Sequence, residues 1–547
     1  MSTEPTGADL VAARLARAGV RHAFGIPGGE VVAIIDALVR HGIDFRLARH
    51  ENAAGFMAEG TWHATGAPGV LVATVGPGVA NAFNVVANAE QDRVPLVVIS
   101  GMVDAAETAT YTHQIFDHGA VFRQVCKSST ELSDGAVDVQ VDKALRLAMS
   151  GRPGPVHLDL PIRVATAVQR GPRHADQLVA APAAPAEGPA LEAARALWAG
   201  STRPVAVAGL DVLNEPGGAD AVRAFVERHG VPLLTTYKAK GVLPEDHPLS
   251  LGGHGLSPKA DGIVLPVLGE ADCILSLGYD PIEMRTGWRR PWDPAKVIEF
   301  AHAPNDHDMH GAALGWTCSV AAGLAALEGR GPASTPASTP ASAPADGAAR
   351  AAPVRAALGD ALSAKRDWGP EVAMAELLAA LPAEAVATVD SGAHRILLSQ
   401  FPFAARPRAL LQSTGLCTMG CALPLALGHK IAEPDRPSVA FMGDGCAEMV
   451  LGEFATLRDT ALPVVVVVFV DASLALIEMK QRREGLQNAG VDFGQTNFIA
   501  VAEAFGGNAI RVTGPGEAGA ALEEALTADQ FTVIAVEIPR RSYDGLI

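Results

Sequence analysis

The chain has 547 residues, of which 49% are hydrophobic and 19% charged, and its formal net charge is −17. Its length exceeds what one hydrophobic core can hold and predicts about three domains. An acidic chain is a poor partner for nucleic acid or an anionic membrane, because phosphate neutralisation needs clustered Lys and Arg. The composition therefore favours a globular protein that acts on small molecules.

The cysteines and the N-terminus indicate the compartment. Cys417 and Cys421 are closely spaced, but no second Cys or His pair completes a zinc site. We therefore expect buried thiols and a reducing cytoplasm. The N-terminus has no apolar signal core, and the longest apolar run, near 463–470, is shorter than the roughly 20 residues that cross a bilayer. No membrane partner is predicted.

Short apolar runs alternate with helical patterns along the chain. Segment 1–165 contains VLVAT and PLVVIS, and a Pro/Ala-rich break follows at 180–190. Segment 190–330 contains RPVAVAG, DCILSLG and KVIEF, and a repeat rich in Pro, Ala and Ser marks a linker and connection over 331–364. Segment 365–547 contains AVATVD, SVAFM, VVVVVFV and FTVIAVEI. This alternation predicts three doubly wound α/β domains with parallel sheets, and no glycine-rich dinucleotide fingerprint follows a first strand.

Two apolar strands of the third segment each end in an aspartate, Asp444 and Asp471. A strand that is apolar at every position is covered on both faces, as in a parallel sheet, and ligands of such sheets bind at the carboxyl ends of the strands. Gly443 and Gly445 surround Asp444 and open a helix, whose free amides attract phosphate. Magnesium prefers oxygen ligands shared with phosphates. The pair of strand ends favours a metal and polyanion site over an ordinary Asp-Gly turn.

A second candidate group lies in the first segment. The stretch RHENAAGFMAEG places Glu51 before small and apolar residues, so a partly buried carboxyl with a raised pKa is expected. The alternative is a helix-start acid stabilised by the helix macrodipole. The stretch TVGPGVANAFN follows, where Pro77 lies in a Gly-Pro-Gly turn and Asn81 could cap a helix.

The third segment resembles the magnesium and diphosphate motif of thiamin-diphosphate enzymes, in which Gly-Asp-Gly is followed by a pair of asparagines. Residues 446–469 give the spacing of that motif, and Val470 and Asp471 stand where the asparagines are expected. The resemblance implies that Asp444, Asp471 and the backbone carbonyl of Ser473 bind Mg²⁺. Val470 departs from the pattern, so the hydrogen bonds of the first asparagine are absent.

The same resemblance implies roles for residues elsewhere in the chain. Glu51 matches the glutamate that hydrogen-bonds the cofactor's aminopyrimidine ring and drives its imino form. Pro77 and Asn81 match residues that flank this ring, and Met419 matches the apolar residue that holds the cofactor bent. Further cofactor contacts are implied for Gly392, His394, Gly415, Gly443, Gly445, Cys446 and Leu474.

Nearly the whole chain is similar to the acetolactate synthase group, and local strings such as FGIPGGEV, LSLGYDPIE and GVDFGQTNF are similar to its FAD-independent catabolic branch. The string GYDPIE at 278–283 is the one that argues against FAD. The resemblance implies decarboxylation of a 2-oxo acid, pyruvate first, and transfer of the acyl carbanion to a second carbonyl. It also implies catalytic roles for His113, Gln114 and Gln481, and a homodimer or homotetramer with active sites between subunits.

Departures from the branch leave alternatives open. Glu30 would repel an anionic 2-oxo acid, and Cys417 and Leu474 replace a glutamine and a tyrosine. One alternative is a 2-oxo-acid decarboxylase, lyase or specialised carboligase with another donor or acceptor. The other, suggested by Val470, is a non-catalytic homologue.

Overall fold

The computed structural model describes residues 4–170, 181–329, 346–363 and 366–547. Within these ranges, three parallel sheets of six strands each follow one another along the chain. Buried apolar clusters lie on both faces of every sheet, where helices cover them. The predicted class of three doubly wound α/β domains is confirmed.

The first sheet has six strands, which are β1 (His22–Gly25), β2 (Asp44–Leu47), β3 (Gly69–Ala73), β4 (Leu96–Met102), β5 (Ser128–Glu131) and β6 (Val156–Pro161). Their spatial order is β2-β1-β3-β4-β6-β5. The accompanying helices are α1 (Gly7–Arg17), α2 (Val32–Arg40), α3 (Glu51–Thr65), α4 (Pro77–Gln91), α5 (Ala105–Thr108), α6 (His118–Phe122), α7 (Val137–Met149) and α8 (Ile162–Thr166).

The second sheet consists of β7 (Pro204–Ala208), β8 (Leu233–Thr236), β9 (Ser250–His254), β10 (Cys273–Leu277), β11 (Val297–Ala301) and β12 (Leu314–Thr317). Their spatial order is β12-β11-β10-β7-β8-β9. The helices of this part are α9 (Pro189–Ala199), α10 (Leu210–Asn214), α11 (Gly218–His229), α12 (Pro258–Glu270) and α13 (Val320–Leu327).

The strand order of the second sheet reverses between β7 and β10, which is where a sheet of this kind would bind a nucleotide. The loops after these two strands touch, since a Cβ on Gly209 would lie 2.5 Å from the carbonyl oxygen of Gly278. Asp280, buried in the second of these loops, pairs with Arg93 at 2.8 Å and with Arg152 at 3.3 Å. Both arginines come from the first domain, so an ion-pair cluster joins two domains at this edge.

The third sheet consists of β13 (Val386–Val389), β14 (Leu410–Gln412), β15 (Ser438–Gly443), β16 (Val465–Val470), β17 (Asn508–Val512) and β18 (Thr532–Glu537). Their spatial order is β14-β13-β15-β16-β18-β17. Helix α14 (Gly347–Leu362) precedes this sheet, whose own helices are α15 (Pro370–Ala380), α16 (Ala393–Gln400), α17 (Ala422–Ala432), α18 (Asp444–Glu448), α19 (Glu453–Thr460), α20 (Ala475–Arg483), α21 (Phe498–Ala504) and α22 (Ala518–Leu526).

Helix α14 lies in the range predicted as linker and connection. It packs against α12 of the second domain, and Ala351 is fully buried there. Its alanine-rich sequence has high helix propensity, which the Pro and Ser of the preceding repeat obscured. The repeat spans 332–349, and most of it, up to residue 345, lies outside the described residues.

The first and third domains dock through helices α3 and α17. The helices cross at very short range, because a Cβ on Gly428 would lie 2.0 Å from the carbonyl oxygen of Met57. A side chain at this position would push the domains apart. The close approach fixes the third domain relative to the helix that begins with Glu51.

Candidate functional site

A cavity of about 440 Å³ lies at the carboxyl ends of β13, β15 and β16. The strand order of the third sheet reverses between β13 and β15, and such reversal points bind the ligands of parallel sheets. The cavity wall includes most of the residues predicted for the cofactor and metal, which are Gly392, His394, Met419, Gly443, Asp444, Gly445, Cys446, Asp471, Ser473 and Leu474.

Asp444 follows β15 and begins α18, and only 3% of its surface is exposed. Its Oδ2 accepts the backbone N–H of Asp471 at 3.0 Å and of Ala472 at 2.7 Å, while Oδ1 accepts that of Gly445 at 2.8 Å. Since β15 and β16 are paired neighbours, their ends lie side by side. The backbone of one strand end thus fixes the carboxylate of the other, and burial raises the pKa of Asp444.

Asp471 follows β16 on the same wall. Its Oδ2 is buried and has no hydrogen-bond partner in the part of the chain that the structure describes. Burial and the adjacent Asp444 raise the pKa of Asp471 to about 7. A divalent cation between these two carboxylates would favour the ionised form of both.

The turn after β13 supplies further polar atoms that have no protein partner. Within the described ranges, Ser391 Oγ and His394 Nε2 are buried and make no hydrogen bond. Burial and the neighbouring Arg395 lower the pKa of His394 to about 3, so its imidazole is neutral and has a single N–H, and a hydrogen bond to the backbone of Asp390 opposes this shift. The Ser391 hydroxyl is free to donate to a phosphate oxygen.

The chemistry of this wall fits a diphosphate bound together with Mg²⁺. Asp471 offers a carboxylate oxygen that no described residue binds, and Ser391, beside His394 on the cavity wall, offers a hydroxyl donor for phosphate. Among the described residues, no group of three or more His, Cys, Asp or Glu side chains could hold a metal alone. An ion here would therefore share phosphate oxygens and backbone carbonyls, which is the usual coordination of Mg²⁺.

Glu51 belongs to a second cluster, in the first domain. It begins α3, is 5% exposed, and accepts a hydrogen bond on Oε2 from Asn81 Nδ2 at 3.0 Å. Its Oε1 faces Gly78, where a Cβ would lie 3.4 Å away. Pro77 opens α4 beside this pair. The structure thus brings Glu51, Pro77 and Asn81 together, with one carboxylate oxygen left for a ligand.

His113 and Gln114 lie on an exposed loop beside the same cluster. A Cβ on Gly76, the residue before Pro77, would lie 2.4 Å from the carbonyl oxygen of Gln114. His113 makes an edge-on contact with Tyr111 at 6.2 Å between ring centres. The predicted residues of the first domain therefore form one half-site around the start of α4, which we call the α4 half-site.

Glu30, which was predicted to repel an anionic 2-oxo acid, lies close to the α4 half-site. Its Oε2 accepts a hydrogen bond from Thr74 Oγ1 at 2.7 Å. A Cβ on Gly78 would lie 3.1 Å from Thr74 Cγ2 and 3.4 Å from Glu51 Oε1. Thr74 and Gly78 thus lie between the carboxylates of Glu30 and Glu51.

The α4 half-site and the 440 Å³ cavity are separate within one chain, because no described residue of the first domain lines that cavity. Two other predicted residues are also absent from its wall. Gln481 uses its side chain on its own loop, donating to the carbonyl of Ala489 at 3.1 Å. Gly415 donates its N–H to Asp92 Oδ1 at 2.8 Å, at the junction of the first and third domains.

The wall also contains residues that sequence reasoning did not identify. Lys480 precedes Gln481 and lines the cavity, as do Arg285 of the second domain and Tyr543 near the end of the chain. Adjacent residues on a helix face directions about 100° apart, so the resemblance at Gln481 does not indicate that Lys480 lines the cavity.

A buried polar network supports the α4 half-site from below. His118 Nε2 accepts the backbone N–H of Gly76 at 3.3 Å, and its Nδ1–H donates to Asp159 Oδ1 at 2.8 Å. The same oxygen accepts the hydroxyl of Ser100 at 2.5 Å, which also contacts His157 Nε2 at 2.6 Å. Although burial opposes it, the bond from His118 holds the pKa of Asp159 below its usual range. The network fixes the turn that carries Pro77.

The cysteine prediction holds only in part. Cys273, Cys318, Cys421 and Cys446 are buried, but Cys126 is half-buried and Cys417 is exposed. Cys417 has a positive φ of 56° at the edge of the cavity, and its thiol donates to the carbonyl of Thr414 at 2.9 Å. A surface loop conformation, which residue type alone does not reveal, keeps this thiol accessible.

Comparison with known proteins shows the family to which the chain belongs. The family models for the N-terminal, central and C-terminal domains of thiamine pyrophosphate enzymes match residues 5–121, 191–327 and 390–536. Thiamine pyrophosphate is another name for thiamin diphosphate. The large subunit of acetolactate synthase isozyme 1 from Escherichia coli (strain K12) is 31% identical over 97% of this chain and 94% of the relative. The chain belongs to the acetolactate synthase group of thiamin-diphosphate enzymes.

Other members of the group match over similar lengths. The acetolactate synthase of Bacillus subtilis (strain 168) is 29% identical over 97% of this chain and 93% of the relative. The catabolic acetolactate synthase of Raoultella terrigena is 27% identical over 98% of this chain and 95% of the relative. The predictions of a thiamin-diphosphate-dependent enzyme and of an acetolactate-synthase-like carboligase are therefore confirmed. In the described ranges, no helix is both long and apolar enough to pass through a bilayer.

Proposed function

We propose that this carboligase decarboxylates pyruvate and joins the acyl unit to a second carbonyl, using Mg²⁺ and an active site formed between two subunits. The observation that carries the proposal is the separation of the α4 half-site from the cavity within one chain. A two-fold dimer would bring the α4 half-site of each subunit to the cavity of the other, and so complete two sites at once. Phe83 of α4 is a large apolar side chain exposed at the surface, as expected where a second subunit covers it.

Bound thiamin diphosphate supplies the electron sink that makes loss of carbon dioxide from a 2-oxo acid feasible. In the proposed site, Asp444, Asp471 and the carbonyl of Ser473 would hold Mg²⁺, and the Ser391 hydroxyl, beside His394, would donate to the diphosphate. Met419 on the cavity wall would pack against the bound cofactor.

Glu51 is the proposed proton carrier. Because Asn81 occupies Oε2, the carboxyl can exchange a proton with the aminopyrimidine through Oε1. Apolar side chains of the second and third domains, Leu256, Met284 and Leu476, line the same cavity and exclude water from the reacting carbons. His113 and Gln114 lie on the exposed loop and are proposed to contact the substrate across the subunit boundary.

A complementation experiment tests the shared site. Glu51→Gln and Asp444→Ala each remove one half of every site and should be inactive alone. When equal amounts are unfolded together and refolded, half of the dimers carry one of each chain, and each of these has one intact site. About a quarter of wild-type acetolactate formation should therefore return. If mixed dimers form and no acetolactate formation returns, each site must be complete within one chain.

Glu30 favours one alternative, a 2-oxo-acid decarboxylase. A second acid near Glu51 could protonate the acyl carbanion, which would release an aldehyde instead of a carboligation product. Mass analysis of the products from pyruvate distinguishes the two: acetolactate supports the carboligase, and acetaldehyde alone supports the decarboxylase.

A further inference from the structure

The cavity wall carries two cations that make no ion pair with the described residues. Arg285 is half-buried after β10 in the second domain, and Lys480 is exposed on α20 in the third. In the described parts of the chain, neither side chain makes a hydrogen bond or ion pair. The charge of Arg285 reaches Asp261, whose Oδ1 already accepts the N–H of Gly255 at 2.9 Å.

Neighbouring cations, by contrast, are paired. Arg482 and Arg541 both bind Glu478, at 2.9 Å and 2.8 Å. Arg395 of the cavity wall donates to the carbonyl of Ser413 and, at 3.2 Å, to Cys417 Sγ. The local acids and carbonyls therefore engage these side chains and leave two positive charges on the cavity wall. Among the lining residues the acids are the Asp444–Asp471 pair, which the proposed Mg²⁺ would neutralise.

The rest of this region of the wall is apolar. Ile282 and Met284 come from the second domain with Arg285, and Leu476 and Ile477 come from α20 with Lys480. A ligand that suits such a wall has an anionic group for each cation and a short hydrocarbon chain between them. A monocarboxylate could satisfy only one of the two cations.

We propose that Arg285 and Lys480 bind the two carboxylates of a single acceptor, so that the preferred acceptor is a 2-oxo dicarboxylate. The inference rests on the proposed carboligase function and specifies its acceptor. The planar guanidinium of Arg285 suits the carboxylate beside the keto group, which it can bind with two parallel hydrogen bonds. The flexible stem of Lys480 suits the distal carboxylate.

The reaction balances without an oxidant or reductant. Pyruvate loses carbon dioxide when the bond between its keto carbon and its carboxylate breaks. That keto carbon forms a new bond to the keto carbon of the acceptor, whose oxygen takes a proton from solvent. The product is a 2-hydroxy-2-acetyl dicarboxylate.

The test uses the full chain with thiamin diphosphate, Mg²⁺ and pyruvate, and equal concentrations of 2-oxoglutarate and 2-oxobutyrate as competing acceptors. We expect the product from 2-oxoglutarate to exceed that from 2-oxobutyrate about tenfold, since a charge-assisted hydrogen bond of this kind is worth about 1.4 kcal/mol or more. Lys480→Met should reduce the product ratio about tenfold. Arg483→Met, on the same helix but away from the cavity wall, is the matched control and should leave the ratio unchanged.

Calorimetry gives a readout that does not depend on turnover. Glutarate, an unreactive dicarboxylate, should bind the wild-type protein about tenfold more tightly than butyrate, and Lys480→Met should abolish the difference. Equal product yields from the two acceptors, or a ratio unaffected by Lys480→Met, would overturn the inference while acetolactate formation still supported the carboligase. If no carboligation occurred at all, the proposed function would fail, and preferential binding of glutarate would still support the anion site.

Discussion

Replacing Asp471 with asparagine should stabilise the metal-free protein at neutral pH and above. In the absence of a cation, burial and Asp444 raise the pKa of Asp471 to about 7 from an ordinary 3.8. Unfolding releases the carboxyl to water, where it ionises freely. The folded state therefore binds one more proton than the unfolded state between about pH 4 and pH 7, and it loses stability as the pH rises through this range.

The size of this effect follows from the same values. About three powers of ten in acidity, at about 1.4 kcal/mol each, correspond to about 4 kcal/mol above pH 7. We expect about 2–4 kcal/mol, because Asp444 can take up the proton instead and relieve part of the repulsion. An amide at 471 has no charge to bury and can donate to Asp444, so Asp471→Asn should raise the melting temperature of the third domain by about 5–10 °C at pH 8.

The assay is thermal unfolding in EDTA, without thiamin diphosphate, over a series of pH values. The advantage of Asp471→Asn should be small near pH 4, grow up to about pH 7 and then stay constant. Asp529→Asn, which removes an exposed acid of the same domain, is the control and should show no such trend. An equal gain in melting temperature at every pH would refute this prediction, because it would show that the charge of Asp471 does not destabilise the folded protein.

Four further outcomes are expected. Asp471→Ala should raise the Mg²⁺ concentration needed for half-maximal activity at least about tenfold. Asp471→Asn should keep this concentration within about threefold, because an amide oxygen remains a ligand. An unchanged Mg²⁺ requirement in the alanine variant would show that Asp471 is not part of the metal site. Glu51→Gln should retain cofactor binding in calorimetry but lose at least about 100-fold in kcat, and wild-type turnover would exclude it as the proton carrier. Purified protein should show no stoichiometric flavin absorption, because the loops after β7 and β10 touch where a nucleotide would bind; a flavin spectrum would contradict this. His118→Phe should lower kcat/KM about tenfold, because the N–H of Gly76 loses its hydrogen-bond acceptor. His118→Gln, which keeps an acceptor, should restore the activity. Equal activity of the wild type and both variants would show that the turn does not need this bond.

The strand ends of the third sheet were predictable because one physical rule covers them. Strands that are buried on both faces belong to a parallel sheet, and all strands of such a sheet present their carboxyl ends at one edge. The rule predicted that Asp444 and Asp471 lie together, and the structure has them joined through the backbone. It did not predict that Asp471 Oδ2 would be left without a partner, since that depends on every side chain around it.

Other features depend on sheet order, which composition and spacing leave open. The network under Gly76 joins Ser100 of β4 to Asp159 of β6, and these residues pair only because β6 lies beside β4. Nothing in the sequence near either residue indicates that the strands are neighbours. The same limit applies to Arg93 and Asp280, which come from different domains.

The orientation of helix α20 explains why Lys480 could not be predicted from the sequence. Resemblance pointed to Gln481, and a helix of nine residues with a weakly apolar face gives no clear indication of which side faces a ligand. In the structure, the side chain of Gln481 bonds to the loop at Ala489, and the preceding residue lines the cavity.

Helix α4 sets a constraint on how the length of this chain can change in evolution. It begins with Pro77 at one half-site, and its C-terminal cap, Asp92, holds the N–H groups of Thr414 and Gly415 in the loop that leads to Met419. The 15-residue helix is about 22 Å long, and each added residue turns everything after it by about 100°. A single insertion within α4 would therefore leave Asp92 facing away from this loop whenever Asn81 stayed beside Glu51. Insertions and deletions should consequently be absent from 77–92 in functional descendants of this chain, however freely they accumulate elsewhere.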